Sequence, residues 1–350
     1  MRQKLFIWAG SLLLLVAFGT TVSGDFFSHY GYEVQKLNPA ATIYAEVPSE
    51  YYSLIVEPDA GIAPVLSRIE HAQKSIDLVM YKMSDAQVVE ALGKAVARGV
   101  SVRVLLNGGY YDKKEKSNDA AYTALQKLNV SVKWSPTNFA LTHQKTFIFD
   151  GREALVMTFN LQSRYYKTGR DFAVAVTNPN DVAEIKRVFE ADFAGSYVVP
   201  KQGDTLLWSP GSEDELLYLI NSANSTLDIY NELMGDQDII DALKAAAQRG
   251  VRVRLNMTYA TNWKQAYFTL RDAGVSVRTF PSSSKIIYIH AKMIIADHKV
   301  AFMGSENFSE TSLNKNRELG LVLSAPHIVE GLQTTFDADW VKSRPFTQAK

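Results

Sequence analysis

An α/β fold made of two similar halves is what this chain of 350 residues predicts. Three observations carry the prediction. Apolar runs with strand character alternate with segments of helical periodicity, the pattern of a mainly parallel or mixed sheet with helices on its faces. Segments recur at an offset of 151 residues: Ala72 to Asp77 returns at Ala223 to Asp228, and Arg98 to Arg103 returns at Arg249 to Arg254. A chemical pattern also occurs twice, once as His143, Lys145, Asp150, Asn160, Asp171 and once as His290, Lys292, Asp297, Asn307, Glu318, at +2, +7, +17 and +28 from each histidine. A repeat of this length is a duplicated domain rather than a short solenoid unit.

The elements follow in order. Residues 1–24 read as an export signal, with Arg2 and Lys4 before the apolar run Leu5 to Phe18 and the small residues Val22-Ser23-Gly24 after it. Because a membrane span needs about 20 apolar residues, an uncleaved anchor through residues 5–22 is the alternative. Either way the bulk of the chain is expected outside the cytoplasm, periplasmic or secreted. The first half is expected over residues 25–200 and the second over 201–350. Their junction falls near Tyr197 to Gly211, where Pro200, Gly203, Pro210 and Gly211 cluster.

Within the first half, Ser53 to Val56 reads as a strand, Ile62 to Ala72 as a helix and Ile76 to Tyr81 as a strand. Asp85 to Arg98 predicts a helix with Val88, Val89, Leu92, Ala95 and Val96 on one face. Ser84 is its expected cap, with Gln87 three residues on, and Gly99 its stop. Val100 to Leu106 is the next strand. In the second half Ile239, Ile240, Leu243, Ala246 and Ala247 make the same stripe before Gly250. Each motif histidine is expected at the start of a strand, His143 to Phe149 and Ile289 to Ala296. His143 and Lys145 would then share a face, as would His290 and Lys292. Asp150-Gly151 and Asp297-His298-Lys299 are the reversing turns that lead on towards Asn160 and Asn307.

Composition narrows the function. Hydrophobic residues make up 47% and charged residues 21%, as in soluble globular proteins. A formal net charge of +0 supplies no global positive field for gripping long nucleic acid, so only a local basic cleft could do so. With Cys 0, a disulfide framework, a thiolate nucleophile and a Cys-ligated zinc site are all excluded.

Two histidines, two lysines, two amides and two acids in matched positions suggest one symmetric site aimed at a phosphate ester. A neutral imidazole can attack phosphorus, and a protonated one can hand its proton to the departing oxygen. Histidine suits both tasks because it titrates near neutrality. Lys145, Lys292, Asn160 and Asn307 can hold the non-bridging oxygens where charge builds. Asp171 and Glu318 can fix the tautomer and orientation of the imidazoles. This set needs no metal and no cofactor. A single His-x-Lys triplet would mean nothing; two copies with matching amides and acids do.

His143, Lys145, Asp150 and Asn160, followed by His290, Lys292, Asp297, Gly304, Ser305 and Asn307, resemble the doubled HKD motif of the phospholipase D superfamily. The resemblance covers roughly residues 50 to 340 and departs from the usual Gly and Ser at Met157 and Thr158. Met157 would add bulk beside the phosphate pocket, and Thr158 keeps a hydroxyl. The resemblance implies a duplicated α-β-α sandwich, with two mixed sheets about a pseudo-twofold and the site at their interface. It implies a phosphohistidine intermediate, with His143 the nucleophile and His290 the general acid and base, although symmetry permits the swap. It also implies phosphate contacts from Thr158 and Ser305, and a structural role for Asp150 and Asp297.

The expected activity is hydrolysis of a phospholipid head group, or its transfer to another alcohol, by an exported phospholipase D-type phosphodiesterase acting at a membrane surface. A metal-independent nuclease of the same superfamily and a catalytically silent binding protein are the rivals, since one fold hosts several substrates. A paired site within one chain favours a monomer. His29, His71, His298 and His327 have no counterparts and read as surface or turn residues. Tyr110 to Lys116 reads as a solvated loop, Tyr267 and Phe268 as core, and Trp263 as a loop residue able to meet a lipid or a base.

Overall fold

The computed structural model describes residues 48–110, 113–114, 116–201, 203–283 and 286–347. Residues 1–24, read above as an export signal, His29, and Tyr111, Asp112 and Glu115 therefore lie outside the described residues, while Gly109–Tyr110 and Lys113–Lys114 pair as antiparallel strands where a loop was expected.

Two sheets of eight strands share one strand order. The first runs Tyr52–Glu57, Gly169–Val176, Glu153–Met157, Lys145–Phe149, Ser75–Met80, Ser101–Leu106, Ser131–Trp134, with Tyr288–Ile289 of the second half as its eighth strand, off this path and paired with Gly169–Val176. The second runs Leu206–Ser209, Glu318–Leu323, Val300–Gly304, Lys292–Ala296, Thr226–Tyr230, Arg252–Thr258, Ser276–Phe280, with Arg344–Pro345 at its edge. Both sheets are mixed: Ser75–Met80 pairs parallel with Ser101–Leu106 and antiparallel with Lys145–Phe149, and the second sheet repeats this. The repeated Asp and Arg of the sequence meet in the same register in each half. Arg103 Nε donates to Asp77 Oδ1 at 2.7 Å, and Arg254 Nε donates to Asp228 Oδ1 at 2.6 Å.

A strand presents alternate residues to opposite faces, so each sheet feeds two cores. Ile148, Val156 and Phe172 of the first sheet and Met293, Met303 and Leu321 of the second share one central core. The helices Pro179–Ala194 and Pro326–Lys342 contribute Ile185, Val188, Leu332 and Phe336 to it. Phe147 and Phe149 point the other way, onto the helices Ala63–His71, Ala86–Ala97 and Asp119–Lys127. Ile294 and Phe302 do the same in the second half, under Ser212–Ser222, Gln237–Gln248 and Lys264–Asp272.

Two local expectations change. Asp85, not Ser84, caps the helix Ala86–Ala97, accepting from Gln87 N at 2.8 Å. Asp236 does the same for Gln237–Gln248. Ser84 instead accepts from Gln162 Nε2 at 3.2 Å, and its own N–H donates to Leu161 O. The motif strands also start later than expected, at Lys145 and Lys292, so the histidines sit just ahead of them. Their backbone N–H groups are committed elsewhere, as described next. The turns are as expected: Asp150 and Asp297 both have φ 53. The Asp150 carboxylate accepts from the N–H groups of Gln73, Lys74 and Ser75, and Asp297 accepts from those of Asn224, Ser225 and Thr226. These two acids pin turn to neighbouring loop.

Candidate active site

Arg317 and Arg170, the residues just before Glu318 and Asp171, fasten the halves together. The N–H groups of His143 and Gln144 both donate to Arg317 O, at 2.9 and 3.0 Å. Those of His290 and Ala291 donate to Arg170 O, at 3.2 and 2.9 Å. Each histidine is thus clipped to the carboxylate strand of the opposite half. Tyr288–Ile289 extends the clip by pairing parallel with Gly169 and Arg170. The arginine side chains also reach across, in buried pairs. Arg170 Nε donates to Asp339 Oδ2 at 2.6 Å, and Arg317 Nη2 donates to Asp192 Oδ1 at 3.1 Å.

One residue further on, the carboxylates meet the rings. His143 Nδ1 lies 2.7 Å from Glu318 Oε2, and His290 Nδ1 lies 2.8 Å from Asp171 Oδ1. A carboxylate on Nδ1 holds the proton there and leaves Nε2 as the reactive nitrogen. The acids cross: each histidine is held by the carboxylate from the opposite half's motif. Asp171 is held in turn by Thr158, whose Oγ1 donates to Asp171 Oδ1 at 2.6 Å and accepts from Phe172 N at 2.8 Å. Ser305 Oγ accepts from Leu319 N at 3.2 Å in the matching place. Both hydroxyls are engaged inside the protein. Met157 is fully buried in the outer core with Phe159, so its bulk faces away from the cleft.

Lys145 Nζ donates to His143 O at 2.6 Å, and Lys292 Nζ donates to His290 O. Both lysines are fully buried. Asn160 Oδ1 accepts from Lys82 N at 3.3 Å, while Asn307 N donates to Ser312 Oγ at 2.8 Å. The structure brings all ten expected site residues into this one interface, with His71, His298 and His327 on elements elsewhere.

Four further groups went unseen in the sequence. The Tyr81 ring sits 4.4 Å from the His143 ring, and Tyr165 sits 4.4 Å from His290. Glu232 Oε2 lies 3.4 Å from His290 Nε2 and 3.2 Å from Lys292 Nζ, and its Oε1 accepts from Tyr288 at 2.7 Å. Glu306 is fully buried next to the site strand, where a Cβ on Gly304 would run into its carboxylate. At the 151-residue offset Glu232 takes the place of Tyr81, and at the 147-residue offset Glu306 takes the place of Phe159. A repeat comparison contains these signals only as mismatches.

Burial sets the ionisation of the site. It pushes the His143 imidazole down to about 4, against the pull of Glu318, so this ring is neutral at physiological pH. Burial, with Lys292 nearby, brings the Lys145 ammonium down to about 7 despite Glu318. Burial pushes the Glu318 carboxyl up, but His143 and Lys145 outweigh it and the net shift is downward. The same contest at Glu232 goes far below the carboxylate range through Lys292 and His290. Burial and the charge of Glu318 drive Glu306 well above that range, so it stays a neutral acid.

The fold and this doubled site coincide with comparisons to known proteins. A family profile described as "Cardiolipin synthase, PLD-like domain" matches residues 65–193 and 216–340. The chain belongs to the phospholipase D superfamily. A cardiolipin synthase of Oceanobacillus iheyensis is 26% identical over 330 residues, covering 81% of this chain and 67% of that one. Cardiolipin synthase 1 of Staphylococcus epidermidis is 24% identical over 329 residues, covering 81% and 66%. The chain therefore spans about two thirds of the length of these relatives. The solved phosphatidylserine synthase of Haemophilus influenzae shares the fold, with a TM-score of 0.66 at 13% identity over 86% of this chain and 88% of that one.

These relatives also correct one expectation. They are named for making cardiolipin and not as exported enzymes, which overturns the placement outside the cytoplasm read from residues 1–24. Among the described residues no helix is long and apolar enough to cross a membrane.

Proposed function

We propose that this chain is a phospholipid-modifying phosphodiesterase that transfers a phosphatidyl group from one alcohol to another. One observation carries the reading: two imidazoles, each with Nδ1 tied to a carboxylate of the opposite half, share an interface with two buried lysines. His143, kept neutral by burial, is the nucleophile. Its Nε2 lone pair attacks phosphorus, the bond to the leaving alkoxide breaks, and a phosphohistidine forms. His290, with a carboxylate on Nδ1 and a second one 3.4 Å from Nε2, is suited to carry the proton that this alkoxide takes. An incoming alcohol then gives its proton to His290 Nε2 and its oxygen to phosphorus, and the N–P bond breaks. Lys145 and Lys292, with Asn160 and Asn307, neutralise the non-bridging oxygens. Thr158 and Ser305 act as positioning residues for the carboxylate strands.

The names of the relatives favour an alcohol over water as the acceptor, and phosphatidylglycerol as a first donor to try. One chain supplies both histidines, so a monomer suffices. The test is to incubate the protein with phosphatidylglycerol vesicles, chelator present, and resolve the lipid products. Cardiolipin with free glycerol supports the reading. Phosphatidate alone would make it a hydrolase, and turnover of single-stranded DNA without lipid turnover would reject it.

A further inference from the structure

Glu232 breaks the symmetry of the doubled motif residues by placing a charge beside those of the second half. Its carboxylate lies beside the second-half lysine assigned to the phosphate and the imidazole assigned to the proton, 3.2 Å from Lys292 Nζ and 3.4 Å from His290 Nε2. Tyr288 steadies the other oxygen at 2.7 Å. Its side chain is 24% exposed, whereas Lys292 is fully buried, so Glu232 stands on the open side of the lysine. At the matching place in the first half stands Tyr81, an uncharged ring 4.4 Å from His143 and 5.3 Å from Lys145 Nζ. The first half thus sets an uncharged ring beside its lysine where the second half sets a carboxylate.

We propose that Glu232 is a specificity-determining residue, an internal anion that admits a singly charged phosphodiester to the site and turns away doubly charged phosphoryl groups. The proposal rests on the phosphodiester reading above and names the charge of the ligand that site accepts.

The argument is one of counting charges at short range. Lys292, Lys145 and the imidazoles gather at the site, with Asp171 and Glu318 behind the rings and Glu232 beside Lys292 and His290. Glu306, buried and neutral, adds none. A diester brings one negative charge and must push Glu232 aside or sit next to it. A monoester or free inorganic dianion brings two, so its repulsion by Glu232 is about twice as large at equal distance. In a site this buried, water does little to screen the difference. The phosphomonoester that water would release from the phosphohistidine is such a dianion, and so is free phosphate in part. A site that excludes both stays open for diesters.

Direct binding measurements test this without requiring turnover. Sulfate, which keeps two charges at pH 6, and dimethyl phosphate, which has one, are titrated calorimetrically into the full chain and into Glu232→Gln. At that pH Lys145 is still charged, so loss of its ammonium does not confuse the comparison. Glutamine keeps the shape and the hydrogen bond from Tyr288. The expected result is sulfate binding about tenfold or more tighter in Glu232→Gln, with a clearly smaller gain for dimethyl phosphate. Equal gains would mean that Glu232 acts by bulk, and no gain, or no binding of sulfate to either protein, would overturn the proposal outright. Glu232→Tyr, which reproduces the first-half arrangement, gives a second reading: it should bind sulfate better than wild type if charge matters. If these binding shifts appear but no lipid is turned over, the charge filter stands and the assigned reaction fails; the converse separates them equally well.

Discussion

Glu318 Oε2 lies 2.7 Å from His143 Nδ1, although the two residues belong to opposite halves of the chain. The carboxylate is itself fixed by Ser312 Oγ and by Asn316 Nδ2 at 2.8 Å. Such a buried, multiply held acid orients the ring and favours the tautomer with a free Nε2. Glu318→Gln should therefore lower kcat by roughly 100- to 10,000-fold with little change in KM. Steady-state kinetics on a soluble short-chain phospholipid would check it; a loss confined to KM would contradict the orienting role.

The two imidazoles can be separated by the leaving group. With a p-nitrophenyl phosphodiester, whose leaving group needs no proton, His290→Asn should still form the phosphohistidine and accumulate it. His143→Asn should form none. Acid-quenched intact-mass measurement reads the adduct directly, and the opposite pattern would exchange the two roles.

The pH profile follows from the two buried bases. His143 must be neutral to attack, so kcat/KM should fall as pH drops through about 4. Lys145 must be charged to hold phosphate, so kcat/KM should fall again as pH rises through about 7, with KM taking the loss. The shift of His143 also links to stability. Its folded-state value is depressed, so its contribution is complete above the unfolded value near 6.5 and is lost as pH falls towards about 4. Acid melts of wild type and His143→Asn should diverge above that window and converge below it.

The buried pairs that cross between the halves make a different demand. Arg170 and Asp339 are both almost fully buried, and Tyr230 also donates to Asp339 at 2.9 Å. Removing one partner strands a charge, which costs about 3–5 kcal/mol. Asp339→Ala should lower the denaturation midpoint by that measure, far more than loss of an exposed pair such as Lys94 with Glu90.

Met157 and Gly304 hold matched positions with opposite needs. A Cβ at Gly304 would meet the Glu306 carboxylate and come within 2.5 Å of Gly320 Cα, so Gly304→Ala should destabilise through backbone overlap. Met157→Gly, which restores the usual family residue, should instead cost about 2–5 kcal/mol by opening a cavity in the outer core. Denaturant melts of both variants are sufficient; a neutral Met157→Gly would show that the core can collapse around the change.

Much of this was legible in the chain. The doubled pattern fixed which residues gather, and the apolar stripes of Val88, Leu92 and Ala95 and of Ile239, Leu243 and Ala246 gave the helices. These are short-range regularities of side-chain period. The crossing of Glu318 to His143 and of Asp171 to His290 was not legible, because sequence spacing is the same whether an acid serves its own half or the other. Ser84 and Asp85 are both good caps, and a partner far along the chain, Gln162, engages the first and leaves the second to cap. Glu232 and Glu306 were missed because they depart from the repeat. A comparison of two halves finds agreement, and these residues act through difference.

The clip of each histidine onto Arg317 O or Arg170 O has a consequence for how such a molecule could arise. Neither half can orient its own imidazole, so a lone half would have to meet an identical copy. A pair of identical copies must carry the same residue at both matched places, and any change strikes twice. Once two copies sit on a single polypeptide, that obligation lapses. Tyr81 can stand where its counterpart is Glu232, and Phe159 where its counterpart is Glu306, so a doubled scaffold can give its twin histidines unequal tasks.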